Sequence, residues 1–191
     1  FFLHNLDFYS PYGCSKGAAD QYIRDYARIY GLNTIVFRQS CIYGPRQFGI
    51  EDQGWIAWFI IATMFKQQIT IYGNGKQVRD LLYIDDLLDA YEMSAKNIKK
   101  TRGQIYNIGG GIKNTISVWH ELHPKLSNLF KKEIHVVFSS QRPGDQPIFI
   151  ADIRKAKKDF NWEPKVAIDE GLEKIFLWMQ SNKNLIKKVF A

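Results

Sequence analysis

Ser10-Pro11-Tyr12-Gly13-Cys14-Ser15-Lys16 places a phenol and an ammonium four residues apart, at the start of a helical pattern of apolar and polar residues. The pattern runs to Tyr30, and Gly31 follows it as a helix-ending residue. Because positions i and i+4 share one face of a helix, Tyr12 and Lys16 are expected to point the same way. A cation close to a phenol favours the phenolate, which can accept a proton from a substrate hydroxyl. Taken alone, the same spacing is also a common accident on helices.

The residues that follow this helix predict an α/β fold. Thr34 to Arg38 is a short run of β-branched and aromatic residues, typical of a buried parallel strand, and Gln104 to Ile108 is a second one. The alternation of such strands with helical patterns indicates a parallel sheet covered by helices. Helices are predicted over residues 55–67, 83–97, 117–130, 153–160 and 168–182, further strands over 68–72 and 134–139, and loops over 1–10 and 39–54. Pro124 is expected to kink or split the helix predicted over residues 117–130.

The composition of the 191 residues is that of a soluble globular protein, with 46% hydrophobic and 24% charged residues. The lysines behind the net charge of +7 are scattered, so we expect no nucleic-acid partner. The longest apolar run, Trp55 to Phe65, is too short to span a bilayer, so no membrane partner is expected. Cys14 and Cys41 are interpreted as reduced thiols of a cytoplasmic protein. The histidines have no metal-ligand spacing, and no metal site is predicted.

Several further motifs follow the opening stretch in a fixed order. They are Ile42-Tyr43-Gly44-Pro45-Arg46-Gln47, Gly73-Asn74-Gly75-Lys76-Gln77-Val78-Arg79-Asp80, Tyr83-Ile84-Asp85-Asp86, Tyr106-Asn107-Ile108-Gly109-Gly110-Gly111 and Arg142-Pro143-Gly144-Asp145. From about Asp7 to about Trp178, the chain resembles the extended short-chain dehydrogenase/reductases that act on nucleotide sugars. Residues 15–22 and 52–59 are most similar to the branch of that family that epimerises a CDP-activated sugar at C2.

This resemblance implies NAD as the cofactor and assigns roles around it. Tyr12 would be the general acid or base, and Lys16 would tune it while holding the nicotinamide ribose. The segment Arg38-Gln39-Ser40 would line the nicotinamide and the sugar, at the end of a strand where open α/β sheets bind ligands.

The resemblance also implies a nucleotide-sugar substrate, with a CDP-sugar favoured. Arg79 and Arg142 would contact its diphosphate, because guanidinium groups bind phosphate oxygens in a bidentate way. Asp145 would approach the ribose, and Gln53 is a candidate at the border of the sugar. Cys41 stands where many relatives have Asn, so it is either a sugar contact, which Ser40 would then support, or a buried small hydrophobe.

A glycine-rich turn of the Gly-x-Gly-x-x-Gly type, which a dinucleotide site needs, does not occur in this sequence. We therefore expect the C-terminal part of a longer enzyme, inactive by itself and a homo-oligomer (dimer or tetramer) when complete. Residues 1–47 and 81–111 would form a partial Rossmann-like NAD-binding domain, with an incomplete parallel sheet. Residues 48–80 and 112–191 would form a small mixed α/β substrate-binding portion. The alternatives are another epimerase or a 4,6-dehydratase of the same family, or a module that binds nucleotide sugars without redox chemistry.

Overall fold

The computed structural model describes residues 10–190, so most of the loop predicted over residues 1–10 lies outside it. Eight α-helices occur in this part of the chain: α1 Pro11–Tyr30, α2 Trp55–Phe65, α3 Ile84–Lys96, α4 Ile98–Thr101, α5 Leu122–Phe130, α6 Arg154–Phe160, α7 Ile168–Ser181 and α8 Lys183–Phe190. They are interspersed with eight strands: β1 Val36–Gln39, β2 Cys41–Tyr43, β3 Thr70–Tyr72, β4 Val78–Tyr83, β5 Ile105–Ile108, β6 Thr115–Ser117, β7 Val137–Ser139 and β8 Ile148–Phe149. None of the helices in residues 10–190 is long and apolar enough to cross a bilayer.

Helix α1 begins and ends where its local sequence predicts. The Ser10 hydroxyl accepts a hydrogen bond from the backbone N–H of Gly13 at 3.0 Å, and Pro11 occupies the first helical position. At the other end Gly31 adopts a left-handed conformation, with φ of 70°. Both ends are therefore capped by local chemistry, which holds the first turn, with Tyr12, in a defined place.

The predicted parallel strands are confirmed. Strand β1 pairs in parallel with β5, with Val36 opposite Ile105 and Gln39 opposite Ile108. Strand β2 pairs in parallel with β4, although the sequence predicted a loop over residues 39–54. This part of the loop prediction was wrong because a three-residue strand leaves too short a pattern to recognise.

Strand β4 is the central strand of a four-stranded sheet with β2, β6 and β8. Its C-terminal half, from Leu81 to Tyr83, pairs in parallel with β2, while Val78 to Asp80 pairs antiparallel with β6. Val78 and Arg79 also pair in parallel with β8. The predicted boundary between residues 80 and 81 therefore falls inside a single continuous strand. Strand β3, by contrast, pairs in parallel with β7, as a small separate sheet.

Two groups of buried apolar residues support these sheets. The larger lies between α2, β3, β4, α5 and α7, and includes Ile60, Leu122 and Ile175. The smaller surrounds β5 and includes Tyr106 and Trp162. Residues 55–65 are apolar on all sides because helix α2 is buried within the larger core.

The helix predicted over residues 117–130 is shorter than expected, because residues 117–121 form the end of a strand and a turn instead. Ser117 ends β6, and α5 begins only at Leu122. The Glu121 carboxylate accepts from the Ser117 backbone N–H at 2.6 Å, and the Ser117 hydroxyl accepts from the Glu121 N–H at 2.8 Å. Pro124 consequently lies in the first turn of α5, where its missing N–H costs no helical hydrogen bond, so the expected kink or split does not occur. Helix α8 was not predicted.

Candidate functional site

Every site residue predicted from the sequence lines one of two adjoining grooves. The first groove, of about 850 Å³, is lined by Tyr12, Lys16, the segment from Arg38 to Cys41, and Gln53. The second groove, of about 570 Å³, is lined by Arg79, Arg142, Asp145 and again Cys41. Gly54 and Trp55 line both grooves as well. The two grooves therefore meet at Cys41 and the start of α2, so a single elongated ligand could extend through both.

The opening motif brings its two functional groups together. The Lys16 ammonium lies 5.3 Å from the centroid of the Tyr12 ring, as the i, i+4 spacing predicts. Tyr12 is 71% exposed within residues 10–190 and lines the first groove. No carboxylate of these described residues forms an ion pair with Lys16. Its ammonium can therefore donate hydrogen bonds to a ligand.

Arg38 connects strand β1 to helix α1, which carries Tyr12. Its Nε donates to the Asp20 carboxylate at 2.7 Å, and its Nη2 forms an ion pair with the same carboxylate at 2.5 Å. Asp20 is a buried residue of α1 that sequence reasoning missed; the only signal was an acidic residue one turn beyond Lys16 on the same helical face. Next to Arg38, the Gln39 amide donates to the Tyr91 hydroxyl at 2.6 Å. These contacts fix the end of β1 relative to α1 and α3.

Ser40 belongs to a buried polar network at the junction of the sheets. Its hydroxyl donates to the backbone carbonyl of Asp80 at 2.8 Å and also contacts the Asp80 carboxylate. The other carboxylate oxygen of Asp80 accepts from the Gly111 backbone N–H at 2.9 Å. Asp80 is fully buried, so it organises the ends of three chain segments. Asp80 therefore has a structural role, and the arrangement leaves the Ser40 oxygen able to accept a hydrogen bond from a ligand.

Cys41 is a free, half-buried thiol at the point where the two grooves meet. Burial raises the pKa of this thiol, and the weaker opposing effects of Trp55 and Arg79 do not reverse that shift. Its neutral form therefore dominates near neutral pH, and it is a poor nucleophile. A neutral thiol can pack against a sugar ring, which fits the prediction of a small hydrophobic side chain better than that of a strong polar contact.

Helix α2 and the loop before it form the wall of both grooves. Gln53 lies in this loop, which the paired backbones of Ile50 and Gln53 close. Trp55 packs edge-on against Phe59, with ring centroids 5.8 Å apart, and Phe59 is buried. Phe59 is therefore part of the core, while Trp55 lines both grooves.

The two predicted phosphate-binding arginines both carry an acidic partner in the second groove. Arg79 Nη2 lies 2.6 Å from Asp145 Oδ1, and Arg142 Nη2 lies 2.8 Å from Asp52 Oδ1. Arg142 also lies over the ring of Tyr72, 3.8 Å from its centroid. Tyr72 was not singled out by sequence reasoning, because a strand tyrosine has no signal that separates it from a core residue. The groove therefore holds two cations whose guanidinium groups are already oriented.

A parallel sheet with a Tyr-x-x-x-Lys pair at the start of the helix before β1, and with two arginines in an adjoining groove, is the arrangement of a short-chain dehydrogenase/reductase. Residues 4–175 match the family model described as GDP-mannose 4,6 dehydratase. The chain belongs to this family.

Individual relatives agree with this assignment. The chain is 46% identical over 181 residues to CDP-paratose 2-epimerase of Salmonella typhi, with 92% of this chain and 53% of that protein covered. Its structure resembles UDP-glucose 4-epimerase of Thermotoga maritima, solved with UDP-glucose, at a TM-score of 0.81 and 32% identity, over 91% of this chain and 54% of that one. It also resembles UDP-glucuronic acid 4-epimerase of Bacillus cereus, solved with UDP-glucuronic acid and NAD. The TM-score is 0.82 and the sequence identity 28%, over 91% of this chain and 53% of that one. The chain spans about half the length of the curated relatives it matches.

Proposed function

We propose that this chain is the substrate-side, C-terminal part of an NAD-dependent nucleotide-sugar epimerase that inverts C2 of a CDP-sugar, converting CDP-paratose to CDP-tyvelose. The observation that carries the proposal is the continuity of the two grooves at Cys41, with Tyr12 at one side and two arginines at the other. The 46% identity to CDP-paratose 2-epimerase favours the CDP-sugar and the C2 position.

The residues of the first groove fit a nicotinamide cofactor. The Lys16 ammonium is available to the hydroxyls of a ribose, and the segment from Arg38 to Ser40 ends β1 at the sheet edge where such ligands bind. When bound, NAD would supply reversible oxidation of the sugar carbon. The residues of this chain would thus hold the nicotinamide half of the cofactor.

The chain's own residues would move the proton and hold the sugar. Tyr12 would accept the proton of the C2 hydroxyl as that carbon is oxidised. It would return the proton after the keto sugar has rotated in the site and its other face is reduced. Lys16, 5.3 Å from the Tyr12 ring centroid, would stabilise the Tyr12 phenolate that exists before the proton is accepted and again after it is returned. The neutral Cys41 thiol and Trp55 would border the sugar and exclude water, and Gln53 would contact its edge.

The second groove would hold the nucleotide. Arg79 and Arg142 would bind the two phosphates, and Asp145 would accept from the ribose hydroxyls. The exposed apolar residues of α1, which include Tyr22, Ile23 and Ile29, favour the proposal that the complete protein forms a dimer or tetramer.

The reaction can be tested with purified full-length protein. Incubated with CDP-paratose, it should give CDP-tyvelose, seen by proton NMR as inversion at C2 alone. Conversion of a UDP- or dTDP-sugar in preference, or loss of water to a 4-keto-6-deoxy sugar, would instead identify another epimerase or a 4,6-dehydratase of this family. The family description keeps the dehydratase as the second candidate.

Arg79→Lys and Arg142→Lys are each expected to weaken binding of a CDP-sugar by about tenfold or more, although the charge is kept. Lysine is a point charge and cannot replace a bidentate guanidinium. Calorimetric titration of each full-length variant with CDP-glucose measures the effect. Lys125→Arg, which adds a guanidinium outside the grooves, is the control and should leave affinity unchanged. Unaltered affinity in both test variants would place the phosphates elsewhere.

Residues 1–191 expressed alone are expected to bind NAD negligibly, because the sequence lacks the glycine-rich turn that receives the pyrophosphate. Light scattering should also show aggregation, since β1 and β5 pair only with each other within the described residues. A monodisperse sample that binds NAD in the micromolar range would contradict the proposed division of the cofactor site.

A further inference from the structure

Each arginine of the second groove is held by two contacts of different kinds. Arg79 donates from Nη1 to the backbone carbonyl of Val78 at 2.8 Å and from Nη2 to Asp145 at 2.6 Å. Arg142 lies on the Tyr72 ring and forms its ion pair with Asp52. The carbonyl and the ring can hold the guanidinium groups with or without a ligand. Each carboxylate, in contrast, occupies one guanidinium nitrogen that a phosphate oxygen could otherwise contact.

The two carboxylates differ in how firmly they are held. The Asp145 side chain is 29% exposed, its partner Arg79 is 14% exposed, and the Gln77 amide contacts the second Asp145 oxygen at 3.4 Å. The Asp52 side chain is 78% exposed, and its one ion pair within the described residues is with Arg142. Moving Asp52 into water costs little because it is already mostly hydrated, whereas moving Asp145 would break a partly buried pair.

Asp52 can move away from Arg142 without unfolding a helix or a strand. Asp52 lies in the loop before α2, and Arg142 lies in the segment between β7 and β8, so the ion pair joins two loops across the groove. Contacts with Tyr72 and Asp52 raise the pKa of Arg142, so the guanidinium stays cationic when a ligand arrives. A nucleotide-sugar diphosphate carries one negative charge on each phosphate, so one phosphate can replace one carboxylate with no change in local net charge.

We propose that Asp52 is an internal anion that occupies Arg142 until a phosphate of the nucleotide sugar displaces it. Asp52 thereby sets the affinity of the groove for anionic ligands. Arg79 stays paired with Asp145 and would bind its phosphate through its remaining N–H groups. This inference rests on the proposed function, because it takes the nucleotide sugar as the ligand. It also predicts that binding opens the contact between the loop at residues 51–53 and the segment at residues 140–147.

The test is Asp52→Asn in the full-length protein, titrated calorimetrically with CDP-glucose and, separately, with cytidine. Asn keeps the shape of the side chain and removes the charge that competes for Arg142. Affinity for CDP-glucose is expected to increase about twofold to fivefold, the range for losing a competing exposed ion pair. Affinity for cytidine, which has no phosphate, should not change.

Glu51→Gln is the matched control. Glu51 is the neighbouring carboxylate in the same groove, but it accepts from the Tyr72 hydroxyl at 3.0 Å and has no arginine partner within the described residues. It should tighten CDP-glucose binding less than Asp52→Asn does. An equal gain in both variants would show general charge repulsion. Unchanged binding in Asp52→Asn would show that Asp52 does not compete for Arg142, and weaker binding would show that Asp52 orients Arg142. Each of these three results overturns the inference. If the parent protein itself bound no CDP-glucose, the proposed function would fail first.

Discussion

Tyr12→Phe is expected to lower turnover of the full-length enzyme by about two to four orders of magnitude, the usual range for a positioned acid–base group. The substitution removes only the hydroxyl, and it keeps the ring beside the Lys16 ammonium, 5.3 Å away. Affinity for NAD should therefore stay close to that of the parent. Single-turnover kinetics with the nucleotide sugar, together with an NAD titration, would separate the loss of chemistry from any loss of binding.

Tyr22→Phe is the control for this prediction. Tyr22 is an exposed tyrosine on the same helix, and it lines neither groove, so losing its hydroxyl should leave turnover unchanged. If Tyr12→Phe turned over within about a factor of two of the parent, Tyr12 would have no part in proton transfer.

Trp162→Ala is expected to lower the free energy of unfolding of the full-length protein by about 3–5 kcal/mol, the cost of removing a large buried aromatic side chain. Trp162 is 1% exposed and packs in the smaller core around β5. Its indole Nε1 also donates to the backbone carbonyl of Asp86 at 2.8 Å. The Asp86 carboxylate in turn accepts from the backbone N–H groups of Lys165 and Val166 at 3.0 Å each. Chemical denaturation would measure the loss.

Trp162→Phe separates the two contributions of this side chain. Phenylalanine fills most of the volume but leaves the Asp86 carbonyl without its donor, a loss of about 1–3 kcal/mol. The expected order of stability is therefore parent, then Phe, then Ala. A loss below about 1 kcal/mol for Ala would mean that the segment from Trp162 to Val166 contributes little to the fold.

Local chemistry explains which parts of the structure the sequence predicted well. Helix α1 has its cap, its proline and its terminal glycine within one segment, so its limits could be predicted from that segment alone. Strand β4 was harder, because Arg79 and Asp80 interrupt an otherwise apolar run. Asp80 is buried only because Ser40 and Gly111 come from other parts of the chain to meet it. No pattern of neighbouring residues reveals such a partner.

The candidate site shows the same division between local and distant information. Motifs predicted which residues would line the grooves, and the pairing of Tyr12 with Lys16 followed from helical geometry. The ion pairs were not predictable, since Arg79 and Asp145 are 66 residues apart and Asp52 has no motif that points to Arg142. The sequence therefore indicated the chemistry of the site, whereas the state of its charged groups depends on tertiary contacts.

Strand β4 also sets a fixed backbone distance between Arg79 and the level of Cys41. Leu81 is the register partner of Cys41, and Arg79 lies two residues earlier on the same strand. At a rise of about 3.3 Å per residue, roughly 7 Å of extended backbone separates the candidate phosphate anchor from the level of Cys41. A hydrogen-bonded strand cannot stretch, so this spacing is the same for every ligand. In the proposed site, the sugar carbon that reacts would therefore depend on how the sugar is rotated, and not on its distance from the phosphates.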